Sequence, residues 1–199
     1  MKQLVILISN AGTGSNLQAI IDAINTHKIQ AKITAVISDR NDAQGLSRAT
    51  KNGIKTLICP EKENLFAILK NETPDYIVLA GWKQFITDDV IHAFPQKILN
   101  LHPGIIPDTI GSVHHNPDGT KALWNKGMFT DIAIQNTLSQ KTTYAGSSIH
   151  FLSDEFDFGP VLGRTFEKIE PDDTIDSLYA RLKKKENILY VEVLQKLCN

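Results

Sequence analysis

The sequence predicts an α/β protein with a Rossmann-like, three-layer architecture around a mostly parallel, twisted sheet. Short apolar runs typical of strands buried on both faces alternate with segments of helical spacing through the first half of the chain. Such strand–helix–strand units have right-handed crossovers and build a parallel sheet covered on both sides. In the second half, the pattern adds an antiparallel hairpin and a closing C-terminal helix.

Strands and helices alternate over the first hundred residues. The first strand, at residues 4–8, is a continuous apolar run, as expected when both faces are buried. The first helix, at residues 15–29, carries Leu17, Ile20 and Ile24 along one stripe. Further strands are predicted at residues 33–37, 56–59, 76–80 and 98–101, and further helices at residues 42–52, 64–71 and 87–94.

The pattern changes after residue 102. Glycines and prolines interrupt the start of residues 103–141, where the one element predicted is a helix near residues 121–126. Segments 147–152 and 161–166 then predict paired strands. Thr174 and the acids before it mark the start of a final helix that runs to about residue 197. Because no Pro/Gly/Ser-rich linker divides the chain, one domain over residues 1–199 is predicted.

Composition excludes several classes of protein. The 199 residues carry 21 Lys and Arg against 22 Asp and Glu, which excludes a strongly basic nucleic-acid binder. No apolar run approaches the length of about 18 residues that would predict a membrane span. Cys59 and Cys198 form no disulfide framework and indicate unpaired thiols in a reducing cytoplasm. We therefore expect a cytoplasmic protein that acts on small molecules, with monomer and homodimer both open.

A glycine-rich turn, Gly12-Thr13-Gly14-Ser15-Asn16, separates the first strand from the first helix. Exposed amides at a helix N-terminus bind anions, and glycines let the backbone approach a phosphate closely. A dinucleotide fingerprint would need a third glycine where Leu17 stands, so a phosphate monoester is the sharper hypothesis. The alternative is a tight turn in which Ser15 or Asn16 caps the helix.

Asn100 and His102 lie at the end of the fifth predicted strand, where ligands bind in open parallel sheets. Side chains two residues apart on a strand face the same way, so both point into one crevice. An amide donor beside an imidazole suits acyl-type transfer, and Asp157 of the later hairpin loop could orient His102. The alternative is a capped strand end with a buried, satisfied histidine. The adjacent His114 and His115 favour exposed loop histidines over a metal pair.

These motifs occur together and in a familiar order. Gly12-Thr13-Gly14-Ser15-Asn16-Leu17, Leu79-Ala80-Gly81 before an aromatic residue, Asn100-Leu101-His102-Pro103, Ser147-Ser148-Ile149-His150-Phe151 and Asp154-Glu155-Phe156-Asp157-Phe158-Gly159-Pro160 follow one another. The chain resembles the glycinamide ribonucleotide transformylase family (phosphoribosylglycinamide formyltransferases), which are folate-dependent enzymes of purine synthesis. The resemblance covers most of the chain except about residues 104–145.

The resemblance implies the formyltransferase fold and transfer of a formyl group from 10-formyltetrahydrofolate to the primary amine of glycinamide ribonucleotide, without a metal. It implies a nucleotide- and phosphate-binding half at residues 1–102 and a folate-loop and closing-helix half at residues 103–199. Asn100, His102 and Asp157 would be catalytic, with Asn100 donating to the oxyanion and Asp157 keeping His102 cationic. The phosphate and acceptor side would comprise Gly12, Thr13, Gly14, Ser15, Asn16, Lys183 and Glu186. The folate side would comprise Trp82, Lys83, Gln84, Phe85, Ile86, Phe151, Leu152, Ser153 and Asp154.

The chain departs from the family pattern in four places. Asn10-Ala11 is an insertion, Lys83 and Gln84 replace the more usual methionine and arginine, and Gly104 replaces a serine. The fourth departure is an atypical insert at about residues 105–144, in the connection that frames the acceptor in the family. The alternatives are therefore a formyltransferase for another amine (an amino sugar nucleotide or modified amino acid), a formyltetrahydrofolate hydrolase, or a non-catalytic nucleotide-binding module. An NAD-dependent oxidoreductase is the weakest alternative.

Overall fold

The computed structural model of the protein describes residues 1–9 and 13–199. Within them, helices cover both faces of one sheet of seven strands. The strands are β1 (Lys2–Ile8), β2 (Ala31–Ser38), β3 (Thr56–Ile58), β4 (Tyr76–Leu79), β5 (Ile98–His102), β6 (Tyr144–Phe151) and β7 (Val161–Lys168). The helices are α1 (Ser15–Asn25), α2 (Gln44–Lys51), α3 (Leu65–Glu72), α4 (Asp88–Ala93), α5 (Thr130–Ser139) and α6 (Ile175–Cys198).

The strand order is β3-β2-β1-β4-β5-β6-β7. Strands β1 to β5 pair in parallel, whereas β6 is antiparallel to β5 and β7 is antiparallel to β6. This arrangement confirms the predicted fold class. The chain runs outward from β1 to β3 and then returns to β4 on the other side of β1, so the direction of winding reverses between β1 and β4. In open α/β sheets, a crevice at the carboxyl ends of the strands forms at such a reversal and binds ligands.

Alternate residues of the central strands belong to two separate cores. On one face of the sheet, Ile6 of β1 packs in a cluster with Leu17 of α1 and Tyr190 of α6. On the other face, Leu7 packs in a cluster that includes Leu69 of α3. Because β1 is covered on both faces, its whole apolar run is buried, which is the pattern that identified the strand in the sequence. No helix among the described residues is long and apolar enough to cross a membrane.

Helix α6 closes the sheet and carries residues to its carboxyl edge. Its first turn has a capping box, in which the Thr174 side chain accepts from the Ser177 backbone and Ser177 returns a bond to the backbone of Thr174. Further along, the buried Tyr190 hydroxyl donates to the carbonyl of Leu79 at 2.7 Å. This bond fixes α6 against the end of β4, beside the crevice.

The helix predicted near residues 121–126 is absent, and that prediction was wrong. The backbone there pairs instead with distant segments: Ala122 donates to the carbonyl of His114, and Ile105 donates to the carbonyl of Leu123. These long-range bonds replace the local bonds that a helix would need. The helix in this part of the chain is α5, which begins at Thr130. Its Ile134 is buried and its Ile132 is exposed. Cys59 and Cys198 are both free.

Candidate active site

A cavity of about 380 Å³ opens at the carboxyl ends of β4 and β5, beside the reversal point between β1 and β4. The N-terminus of α1, the segments after β4 and β5, the loop at residues 152–157 and one side of α6 form its walls. Most of the predicted site residues line it, namely Gly14, Ser15, Asn16, Trp82, Lys83, Gln84, Phe85, Ile86, Asn100, His102, Leu152, Ser153, Asp157, Lys183 and Glu186.

Some predicted residues do not line this cavity. Thr13 lines a neighbouring polar depression with Arg48, whose Nε donates to the Thr13 carbonyl. Phe151 is buried and stacks on Tyr76. The Asp154 carboxylate contacts His92 Nε2 at 2.8 Å on the surface. Gly12 lies outside the described residues.

The turn before α1 presents polar atoms that lack partners. Gly14 adopts a left-handed φ of 71° and lies so close to Gly45 that an added Cβ would be 3.0 Å from the Gly45 Cα. Among the described residues no side chain caps α1, whose N-cap is Gly14 rather than Ser15 or Asn16. The Ser15 Oγ and the Asn16 Oδ1 are buried without a hydrogen-bond partner among the described residues. Buried polar groups are rarely left unpaired, so these two atoms need a partner other than the described residues.

Helix α6 supplies the opposite side of this end of the cavity. Glu186 is only 2% exposed, and its Oε1 accepts from the Ser147 hydroxyl at 2.6 Å. Its Oε2 is buried without a partner among the described residues. Burial raises the pKa of Glu186, against the opposing effects of the Ser147 hydrogen bond and the Lys183 charge. One turn earlier, Lys183 Nζ lies 5.2 Å from the centre of the Tyr179 ring.

The orientation of Asn100 is fixed by a buried histidine on the neighbouring strand. His150 lies opposite Asn100 in the β5–β6 register, and its Nδ1 is 3.0 Å from the Phe151 carbonyl. That carbonyl can only accept, so Nδ1 carries the proton and Nε2 accepts from the Asn100 amide at 3.2 Å. Burial, together with the charge of His102, lowers the pKa of His150 to about 4, so the ring is neutral at pH 7. Asn100 therefore keeps one N–H free.

His102 is 1% exposed and has an oxygen acceptor at each ring nitrogen. Its Nε2 donates to the Trp124 carbonyl at 2.6 Å, and its Nδ1 lies 3.5 Å from Asp157 Oδ1. The alternative interpretation, a buried histidine with a partner at each ring nitrogen, therefore applies to this ring. However, the ring also lines the cavity, where it lies between the Trp124 carbonyl and the Asp157 carboxylate.

Asp157 is held in place from three directions. Its backbone has a left-handed φ of 51°, and its carbonyl accepts from the Trp124 indole at 3.0 Å. Its Oδ2 accepts from the Gly127 amide at 2.8 Å, which leaves Oδ1 for His102. Burial acts to raise the pKa of Asp157, but the hydrogen bond and charge of His102 outweigh it and lower that pKa. The carboxylate is therefore ionised at neutral pH.

The other end of the cavity is more apolar. Trp82, Ile86 and Leu152 line it, and the half-exposed rings of Phe85 and Phe156 meet at its rim with centroids 5.8 Å apart. Apolar and aromatic linings of this kind are typical of small-molecule pockets.

Sequence reasoning missed several residues that form the site. His150, Trp124 and Gly127 contact the predicted catalytic residues, and Phe129 and Tyr179 line the cavity. Only His150 had a signal in the sequence, because its strand was predicted to pair in the same sheet. Among the described residues, no group of three or more His, Cys, Asp and Glu is arranged to hold a metal ion.

The fold and the site together define an α/β enzyme whose cavity holds buried polar atoms at the start of α1, aromatic residues, and an Asn, His and Asp cluster. The chain belongs to the formyl transferase family, whose model matches residues 2–194. This finding confirms the resemblance drawn from the motifs.

Several relatives and solved structures are similar to this chain. Phosphoribosylglycinamide formyltransferase of Escherichia coli (strain K12) is 32% identical over 96% of this chain and 84% of its own length. The chloroplastic enzyme of the same name from Arabidopsis thaliana is 27% identical over 99% of this chain, which spans only 65% of that relative. The crystal structure of glycinamide ribonucleotide transformylase 1 from Symbiobacterium toebii has a TM-score of 0.82 and 29% identity, covering 98% of this chain and 86% of its own.

Proposed function

We propose that this chain transfers a formyl group from 10-formyltetrahydrofolate to the primary amine of glycinamide ribonucleotide in purine synthesis. The observation that carries the proposal is the position of Asn100, His102 and Asp157. They lie between a polar end of the cavity with unpaired buried oxygens and an apolar end with aromatic residues. Relatives at 30–32% identity carry the name of this activity.

The polar end suits the acceptor. The backbone amides at the start of α1 and the Gly14 turn would hold the phosphate, helped by the helix dipole. Lys183 would add positive charge from α6. The unpaired Glu186 Oε2 would accept from a sugar hydroxyl, which removes the cost of leaving it unsatisfied.

The apolar end suits the folate. Trp82, Phe85 and Ile86 line one side of it, and Leu152 with Phe156 lines the other. Between them the pterin and its linked ring would be removed from water. This arrangement would direct the formyl group towards Asn100 and His102.

The catalytic residues would then stabilise the change in charge during transfer. The acceptor amine resembles an α-amino group with a pKa of about 8, so about a tenth is neutral near pH 7 and able to attack. Attack on the formyl carbon forms a C–N bond and places negative charge on the formyl oxygen. The free N–H of Asn100 would donate to that oxyanion, and the His102 imidazolium would stabilise it electrostatically. Collapse breaks the bond to the folate nitrogen, which takes up the proton lost by the amine, carried through water.

The direct test is formyl transfer from 10-formyltetrahydrofolate to glycinamide ribonucleotide by the purified chain, with His102→Ala alongside. We expect turnover in the wild-type chain and its loss in the variant. A dephosphorylated acceptor should bind poorly, because the amides before α1 would lose their anion. Turnover that is unaffected by His102→Ala would contradict the assigned chemistry.

A second acceptor deserves the same assay because part of the acceptor wall comes from the atypical segment. Phe129, Thr130 and Asp131 line the cavity near Tyr179 and Lys183. If glycinamide ribonucleotide is inactive while tetrahydrofolate binds, amino sugar nucleotides and modified amino acids are the next acceptors to test. Failure to bind any folate would exclude both proposals.

A further inference from the structure

Gly104 and the segment that contains Trp124 both depart from the family pattern, and the structure couples them. A Cβ added at Gly104 would overlap the backbone carbonyl of Trp124 and would lie 3.1 Å from His102 Nε2. Glycine at this position therefore gives the Trp124 carbonyl room beside the His102 ring. A serine or alanine at position 104 would push the two apart.

Trp124 contacts both members of the His102 and Asp157 pair. Its carbonyl accepts from His102 Nε2 at 2.6 Å, and its indole Nε1 donates to the Asp157 carbonyl at 3.0 Å. Its ring also packs edge-on against Phe158, with centroids 5.8 Å apart. The residue thus ties the end of β5 to the hairpin loop, two segments that are far apart in the sequence.

We propose that Trp124 is a positioning residue for the His102–Asp157 pair and that Gly104 is the residue that admits it; the catalytic part of this inference rests on the proposed function. Trp124 does not line the cavity, so it would act through His102 and Asp157 rather than on substrate.

The two bonds have different consequences. The carbonyl holds the proton on Nε2 of His102 in both charge states of the ring, so that Nδ1 always faces Asp157. The indole bond fixes the backbone of Asp157, whose side chain is held separately by the Gly127 amide. The titratable groups that face the ring are Asp157 of the loop and His150 of β6, and His150 is neutral at pH 7. Loss of the carbonyl would leave Nε2 of His102 without its acceptor and the orientation of the ring unfixed.

Gly104→Ala is the first test, with Gly111→Ala as its matched control. Gly111 lies in the same connection with a φ of 85° and has nothing within 4 Å of an added Cβ, so its change strains the segment without touching Trp124. In protein labelled with ¹⁵N-histidine, we expect His102 Nε2 to give the shift of a protonated nitrogen, identified by its loss in His102→Ala. Gly104→Ala should move this shift and lower kcat at least tenfold with little change in KM. Gly111→Ala should do none of these.

Trp124→Phe keeps the backbone carbonyl and removes the indole donor, so it tests the second bond even if Gly104→Ala fails to fold. We expect kcat to fall several-fold while the His102 Nε2 shift is retained. An unchanged Nε2 shift in folded Gly104→Ala, or an unchanged kcat in Trp124→Phe, would overturn the proposal. If the wild-type chain shows no formyl transfer, only the proposed function fails, because the ¹⁵N measurement needs no substrate and still decides whether Trp124 holds His102.

Discussion

The cavity has one wall made of strand ends and another made of irregular backbone, and the two hold their catalytic candidates by different means. Asn100 and His102 lie on β5, which is hydrogen-bonded to β4 on one side and to β6 on the other. Asp157 lies in a loop at a left-handed φ and is fixed by Trp124 and Gly127. Both walls nevertheless bring these side chains to the same cavity.

The comparison shows what fixes the position of the side chains in each wall. In the strand wall, the position comes from register, because strand pairing fixes the partner of every residue along the strand. In the loop wall, the position comes from single bonds between residues 30 to 33 positions apart, each of which can be lost alone. Changes in the strand wall should therefore affect both chemistry and folding, whereas changes in the loop wall should affect chemistry first.

Asn100→Ala should have the largest effect on catalysis. The variant removes the amide that would donate to the oxyanion in the proposed reaction, and loss of such a donor costs about 2.7–4 kcal/mol, or about 10²–10³ in kcat. It also leaves Nε2 of the buried His150 without its donor. Steady-state kinetics and thermal unfolding should be measured together. Asn71→Ala, on the exposed end of α3, is the control, and a kcat within threefold of wild type for Asn100→Ala would remove Asn100 from the chemistry.

His150→Gln should have the second-largest effect, which is on the stability of the protein at acid pH. The unfolded chain protonates this histidine below its ordinary pKa of about 6.5, whereas the folded chain does so only below about 4. The stability contributed by the neutral ring is therefore complete above pH 6.5 and is lost as the pH falls towards 4. At 1.36 kcal/mol per pKa unit, wild type should lose about 2 kcal/mol of unfolding free energy from this group between pH 7 and pH 5.

Glutamine keeps an acceptor for Asn100 and does not titrate, so His150→Gln should lack that loss. The measurement is chemical denaturation at both pH values. The exposed His27→Gln should retain the wild-type acid sensitivity. Equal losses in wild type and His150→Gln would show that the ring is not held neutral by burial.

The same contrast explains what the sequence could and could not predict. The β1 run and the stripe of α1 were predictable because burial on both faces, or on one, leaves a regular apolar pattern that is local in the sequence. Asn100 and His102 were predictable as a pair because a strand puts residues two apart on one side. Asp157 was a candidate because of its place in the later hairpin loop, whereas Lys183 and Glu186 came from the family resemblance.

The parts that were not predicted depend on contacts without a local pattern. The helix expected near residues 121–126 is replaced by backbone pairing to Ile105 and His114. No local sequence pattern indicates such pairing. The contact between Gly104 and Trp124 is of the same kind, because a glycine in the sequence does not indicate which backbone segment packs against it. Asp154 and Phe151 were placed on the folate side by resemblance, yet neither lines the cavity.

Glu186→Gln tests the third side of the cavity, where α6 meets the strand wall. Its Oε2 has no partner among the described residues and would accept from the acceptor under the proposed function, whereas an amide nitrogen there would offer a donor instead. We expect the Kd of glycinamide ribonucleotide to rise about tenfold, which corresponds to about 1.4 kcal/mol, with the KM of the folate unchanged. Glu192→Gln, exposed on the same helix, should bind the acceptor normally. An equal effect on folate binding would place Glu186 at the wrong end of the cavity.

Tyr190→Phe should have the smallest effect. It tests how α6 stabilises the end of β4 in the strand wall. The variant keeps the buried ring and removes the hydroxyl that donates to the Leu79 carbonyl, so the end of β4 loses one hydrogen bond. Such a loss costs about 1 kcal/mol, which for a chain of this size lowers Tm by about 2–4 °C. Differential scanning calorimetry should detect that shift, and Tyr144→Phe on the partly buried start of β6 should not show it. If kcat falls while Tm is unchanged, the strand wall depends on α6 for its geometry rather than for its stability, and register alone does not position Asn100 and His102.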